Sequence, residues 1–321
     1  MTQFISRAYN TFEIDSKTKA IVEKRSTESR LKDEINYYKN VPQGLSVYFP
    51  RLLYSQIEEN NYVAGMEYYA YDNLGNLMIN NTFDPKIWEK VVEFLFTFIN
   101  NTKEYKFKSH YNDCISMYID KTENEYNNLI NNFDYFKIFN LNTNITLNGE
   151  ELKTFNVIWP TIKNYIIKNC LVHELNYIHG DFCFSNILYG SNPINKDIVL
   201  KFIDPRGSFG QTKYYGDPYY DLAKLMHSCD GGYEYFITDN FKILDNNTDF
   251  TLTFSNNKKT EIKNIFENLI QSYNFNKTKI DILQGSIFVG MCARHYDSFE
   301  RQKGMLLTGL KILNKVYEQL R

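Results

Sequence analysis

The sequence predicts an α+β chain with a small β-rich N-terminal lobe followed by a larger, mainly helical C-terminal lobe. Three observations carry that expectation. Strand-like segments and turn residues crowd residues 1–70, apolar residues at helical spacing dominate from Pro85 onward, and a block rich in chemically active residues, His179 to Gly207, interrupts the helical part. A boundary near residue 70 divides the chain into 1–70 and 71–321, with a cleft expected between the two.

The elements follow in order. Thr11–Ile14 and Ala20–Lys24 flank the turn-forming Asp15-Ser-Lys-Thr18 and read as a hairpin. Thr27 or Ser29 caps a helix to about Lys39, with Leu31, Ile35 and Tyr38 on one face, and Pro42 and Gly44 end it. A second extended pair covers about 50–55 and 62–69. Asp84-Pro85 is an N-cap followed by proline at the first helical position, and Ile87, Trp88, Val91, Val92, Leu95, Phe98 and Ile99 recur behind it. Further helices are expected over 111–129, from Ile162 to just before His179, from Asp217-Pro218, and over 259–274, 279–298 and 305–320. Strands are expected at 186–188 and 198–203. Asn148-Gly149 marks a turn, and the Asn-rich stretches 140–148 and 246–257 read as loops or hairpin tips.

Composition narrows the function classes. The 321 residues hold 36 Lys plus Arg against 38 Asp plus Glu, a net charge of −2, so no basic excess points to nucleic acid. No apolar run approaches the ~18 residues of a membrane span, and the start lacks the basic-then-apolar pattern of a secretory signal. Five scattered cysteines without a CxxC argue against a disulfide framework or a zinc site and for a reducing, cytoplasmic setting. The wealth of Asn, Lys, Ile and Tyr is read as codon bias. Composition leaves the oligomeric state open.

The informative block is His179-Gly-Asp-Phe-Cys-Phe-Ser-Asn186, followed by Ile203-Asp-Pro-Arg-Gly207. Phosphoryl transfer to a hydroxyl needs a carboxylate beside the attacking oxygen and further oxygen ligands that hold Mg²⁺ against nucleotide phosphates. Asp181 is the candidate for the first role; Asn186 and Asp204 are the candidate metal ligands. The alternative is a turn Asp, a capping Asn and a strand-end Asp that meet by accident. His179 reads as a residue that orders its loop, Asp217 as an N-cap, and Cys183 as a packing residue. Arg206 reads as a phosphate contact or, more simply, as one half of a salt bridge.

At these residues the chain resembles the aminoglycoside phosphotransferase and choline kinase-like branch of the protein-kinase-like superfamily, with its HGDxxxxN loop and I-D-x-x-G metal motif. The resemblance implies a protein-kinase-like fold and an ATP- (or GTP-) and Mg²⁺-dependent small-molecule kinase. It implies that Lys24, at the end of the second hairpin strand, positions phosphates, with Lys19 or Arg25 in its place if the register slips. Glu34 would be its partner; otherwise it is a solvated helix residue. Glu67 and Tyr68 would meet the adenine where the chain crosses between lobes, and Asp221 in Gly216-Asp-Pro-Tyr-Tyr-Asp-Leu-Ala223 would buttress the catalytic loop. The nucleotide loop falls at Ser6–Asn10 and contains no glycine, so Ser6 and Asn10 side chains would contact phosphate in place of a close backbone.

The acceptor implied is a small hydroxylated molecule: an amino-alcohol, a sugar-type intermediate of surface polysaccharide (capsule) assembly, or an antibiotic of the aminoglycoside type. Tyr214, Tyr215, Tyr219, Tyr220, Tyr233, Tyr235 and Phe236, with Asp230 and Glu234, could frame a cationic amino-alcohol, or simply pack a core. His295, Asp297 and Glu300 could line the pocket from the far side. A binding module of pseudokinase type and a protein kinase are the rival readings; no APE-like segment precedes Asp217.

Overall fold

The computed structural model describes residues 10–80, 82, 84–192, 194, 197–256 and 258–321. The expected contact of Ser6 therefore lies outside the described residues. Strands β1 (Asn10–Ile14) and β2 (Ile21–Ser26) form the expected hairpin, closed by Asp15, whose Oδ1 accepts from the Thr18 amide and hydroxyl at 2.7 Å. With β3 (Leu52–Glu58) and β4 (Asn61–Glu67) they make a four-stranded antiparallel sheet of order β1-β2-β4-β3. Gly65 in β4 is required because the Tyr54 ring lies across it, leaving no room for a Cβ.

Helix α1 (Ser29–Lys39) packs on this sheet through Leu31, Ile35, Tyr62 and Ala64, the helical 3–4 spacing meeting the strand alternation. Beyond β4, Asp72 and Asn73 pair with Tyr189 and Leu188, so the crossing segment is tied directly to the larger lobe.

The Pro85–Thr102 helix begins as expected: Asp84 Oδ1 accepts from the Ile87 amide at 2.9 Å, and Trp88, Val91, Val92, Leu95, Phe98 and Ile99 are buried. The Pro218–Cys229 helix has the same start, with Asp217 as its cap. Strands Ile187–Ser191 and Ile198–Phe202 pair antiparallel, and the segments that carry the active block hang from their ends.

Several expectations are corrected. The helix before His179 is Phe155–Asn169 only; Leu175 belongs to a strand, Glu174–Tyr177, which pairs with Lys106–Lys108 and with Tyr215–Gly216. Cys170 caps the helix, and the short apolar run behind it is satisfied by cross-strand bonds. The helix expected over 111–129 is broken by a π-helical turn, Ser116–Asp120, before Lys121–Asn132. That expected over 279–298 stops at Val289, ahead of Gly290. The Asn-rich stretches are not only tips. Asn144–Leu147, Glu150–Lys153, Phe241–Asn246 and Asp249–Phe254 build a second four-stranded sheet, in which Asn148-Gly149 is a hairpin turn with φ of 53° and 80°. No helix among the described residues is long and apolar enough to cross a membrane.

Candidate active site

The hairpin register settles which basic residue faces inward. Lys24 lies opposite Ala64 on the buried side of β2, whereas Arg25 points outward and pairs with Glu23. Lys24 Nζ meets Glu34 Oε2 of α1 at 2.6 Å and Asp204 Oδ1 at 2.9 Å. Burial opposes the Lys24 charge, but Asp204 and Glu34 outweigh it and raise its pKa. Burial pushes the Glu34 carboxyl up to about 7 against the pull of Lys24. Asp204 goes the other way: despite burial, Lys24 and Arg30 hold it at about 2. Its backbone sits at φ 57°, a left-handed conformation that costs a non-glycine residue and is retained at sites whose surroundings enforce it.

The His179–Asn186 loop is fastened from beneath. Asp221 accepts from the His179 and Gly180 amides, both at 2.8 Å. Ser228 Oγ accepts from the Phe184 amide at 3.0 Å, and Glu234 Oε1 from the Ser185 amide at 3.1 Å. His179 is fully buried; burial lowers its pKa to about 4 and keeps it neutral. Its Nε2 then donates to Ile203 O at 3.0 Å and its Nδ1 accepts from the Asp181 amide at 3.2 Å, coupling the loop to the Asp204 segment.

Asp181 and Asn186 are joined within the loop, where Asn186 Nδ2 donates to Asp181 O at 2.8 Å. That bond leaves Asn186 Oδ1 as a free-standing acceptor, as Lys24 leaves the second oxygen of Asp204. Two hard oxygens on adjoining segments suit Mg²⁺, which takes few protein ligands and completes its shell from phosphates and water. Among the described residues, no group of three or more His, Cys, Asp or Glu forms a preformed cage elsewhere.

Two residues that sequence reasoning missed hold Asp181. Arg30 Nη2 reaches Asp181 Oδ2 from α1 at 2.9 Å, and Lys224 Nζ reaches Oδ1 from the Pro218–Cys229 helix at 2.9 Å. Burial raises the Asp181 pKa, but Lys224 and Arg30 override it and hold the carboxyl well below the usual range. Both had a signal in the spacing. Arg30 precedes Glu34 by four positions and Lys224 follows Asp221 by three, so each shares a helix face with a residue already singled out.

Other candidates are placed differently. Asn10 opens β1 opposite Ser26. The amides of Glu67 and Tyr68 are already spent on Arg51 O and Ala20 O, and the Glu67 carboxylate is held by Arg51. The aromatic group is dispersed: Tyr235 and Phe236 are in the core and Tyr219 packs on Phe275, while Tyr220 and Tyr233 lie on the Asp181 side, beside Lys224. Asp230 pairs with Lys263, Asp297 with Arg301 and Glu300 with Lys303. Cys183 is buried, and burial pushes its thiol far up, as a packing residue requires.

No protein-family model matches the sequence, and no curated protein does. Solved structures do match. A thermostable mutant of aminoglycoside phosphotransferase APH(4)-Ia in ternary complex with ADP and hygromycin B superposes with TM-score 0.58 and 8% identity, covering 97% of this chain and 94% of that one. A related ternary complex with AMP-PNP and hygromycin B gives 0.57 and 9%, covering 97% and 93%. Aminoglycoside phosphotransferase APH(4)-Ia itself gives 0.56 and 8%, covering 98% and 91%. At that identity the likeness establishes architecture: the chain has the two-lobed, protein-kinase-like fold of aminoglycoside phosphotransferases.

Proposed function

We propose that this protein is an ATP- and Mg²⁺-dependent phosphotransferase acting on a hydroxyl of a small molecule, with lobes dividing near residue 70. The observation that carries the reading is the arrangement of Glu34 and Asp204 around the buried Lys24 ammonium, with Asp181 and Asn186 one loop away. A nucleotide-binding lysine, two oxygen ligands and a carboxylate then meet at the junction of the lobes. The ADP and AMP-PNP in the neighbouring structures support nucleotide binding.

Each residue's part follows from its contacts. Lys24, steadied by Glu34, presents a positive charge to the donor phosphates. Asn186 and Asp204 would hold Mg²⁺, which when bound screens the phosphates and orients them. With the Glu67 and Tyr68 amides engaged in the sheet, adenine contacts fall to their carbonyls and to the residues just beyond. Asp181 positions the acceptor hydroxyl and takes its proton as the new bond forms. Arg30 occupies one oxygen of Asp181 in the present state. It is partly exposed and belongs to the opposite lobe, so it is the partner that can release Asp181 and turn to incoming phosphate. Lys224, buried, stays.

A role in surface-polysaccharide assembly rests on the sequence resemblance alone, and the antibiotic reading rests on the neighbours' acceptor. The test is turnover of Mg²⁺-ATP in the presence of sugars, hydroxy acids, sugar phosphates, amino-alcohols and aminoglycosides, with phosphorylated product identified by mass spectrometry. Nucleotide binding without turnover for every acceptor class would favour a binding module.

A further inference from the structure

The side of the cleft beyond Asp181 is basic, and two of its cations, Lys121 and Arg206, form no ion pair among the described residues. From Asp181 the contacts run to Lys224 and to Tyr220, one turn earlier on the same helix, whose hydroxyl accepts from Lys121 Nζ at 3.2 Å. Arg206 lies over Gly180, so close that a Cβ there would meet the Arg206 Cβ at 2.9 Å, and within electrostatic range of both Lys121 and Tyr220. Neither Lys121 nor Arg206 has a carboxylate within 4 Å among the described residues, so the salt bridge expected of Arg206 is not formed. Asp181, at the head of this arc, is already neutralised by Lys224 and Arg30, and Glu125, one turn beyond Lys121, is paired with Arg294.

One further feature marks this side of the cleft. The π-helical turn Ser116–Asp120 directly precedes Lys121, and such turns are frequent at functional sites. The small pocket beside it, lined by Lys121, Tyr220 and Ser286, has room for about one water, which can satisfy the otherwise unpaired Ser286 hydroxyl.

Like charges held together in this way repel one another, and burial and the neighbouring cations lower the Lys121 pKa to about 8. An anion would relieve that repulsion. A polycationic aminoglycoside or a quaternary amino-alcohol would add to it.

We infer that the acceptor carries an oxyanion, a phosphate or a carboxylate, seated between Lys121 and Arg206 beside Tyr220, with its hydroxyl directed to Asp181. This rests on the phosphotransferase reading for the role of Asp181, but the anion site is tested independently of turnover.

Inorganic sulfate is titrated onto the full-length protein, first alone and then saturated with Mg²⁺ and AMP-PNP, with binding read by calorimetry and thermal shift. Saturable binding is expected to persist in the nucleotide-loaded protein and to weaken by about tenfold or more in Lys121→Ala and in Arg206→Ala, while circular dichroism shows both folded. Sulfate affinity unchanged in both variants, or displaced entirely by nucleotide, overturns the anion site and leaves the kinase reading intact. Loss of nucleotide binding with the sulfate site retained overturns the kinase reading instead. In the turnover arm, sugar phosphates and hydroxy acids distinguish the two sources of oxyanion. Preferred phosphorylation of amino-alcohols or aminoglycosides would overturn the inference.

Discussion

Replacing Asp181 by asparagine should do more than remove a base, because the carboxylate also neutralises two cations. Lys224 has a side chain 9% exposed and Arg30 one 36% exposed, each 2.9 Å from a different oxygen of Asp181. In Asp181→Asn the amide oxygen can still accept from one of them, and the amide nitrogen faces the other. The half-exposed Arg30 turns to water at little cost, about 0–1 kcal/mol. Lys224 cannot, and a buried charge deprived of its partner costs up to about 3–5 kcal/mol when fully enclosed. Asp181 is itself 24% exposed and one acceptor remains, so a net loss of about 2–3 kcal/mol is expected.

The assay is urea unfolding of Asp181→Asn, Lys224→Met and the double variant. Each single change should destabilise, and the double should cost less than their sum by at least about 1 kcal/mol, since it removes both charges together. Turnover of an identified acceptor should fall by about 10²–10⁴ in Asp181→Asn with nucleotide affinity little changed. Additive stability losses would refute the pairing argument. Near-wild-type turnover would refute the assignment of Asp181.

Asp204→Asn should weaken both nucleotide binding and turnover, because it alters a proposed Mg²⁺ ligand and a partner of Lys24 together; titrating Mg²⁺ should restore part of the activity. His179 has its pKa lowered from 6.5 to about 4, so the unfolded chain binds the extra proton first and the stability contribution is lost as pH falls from 6.5 through 4. That loss is about 3 kcal/mol, and unfolding midpoints measured from pH 7 to pH 4 should show a shallower slope in His179→Gln. If Lys121 binds the acceptor's anion, acceptor KM should rise as pH passes from 7.5 to about 9, because Lys121 loses its charge and the Tyr220 hydroxyl bonded to it gains one, both near 8, while the KM for nucleotide stays flat, measured by steady-state kinetics at constant ionic strength.

What local sequence determined is the part of this protein governed by near neighbours. The Asp15–Thr18 turn sets the hairpin, and Asp84-Pro85 and Asp217-Pro218 start helices. These are contacts among residues a few positions apart, and backbone sterics and capping decide them. Tertiary structure decided the rest. The second sheet joins Asn144–Lys153 to Phe241–Phe254, and the weak alternation of those Asn-rich stretches becomes strand only when partners from across the chain supply the hydrogen bonds. Glu174–Tyr177 is a strand for the same reason, held between Lys106–Lys108 and Tyr215–Gly216. The charge of the site was least legible. Arg30 lies 151 positions from Asp181, and a net charge of −2 over the whole chain conceals an arc where Lys121, Arg206 and Lys224 converge. Composition sums charge over the surface, whereas electrostatic energy depends on separation and burial, which only the folded chain sets.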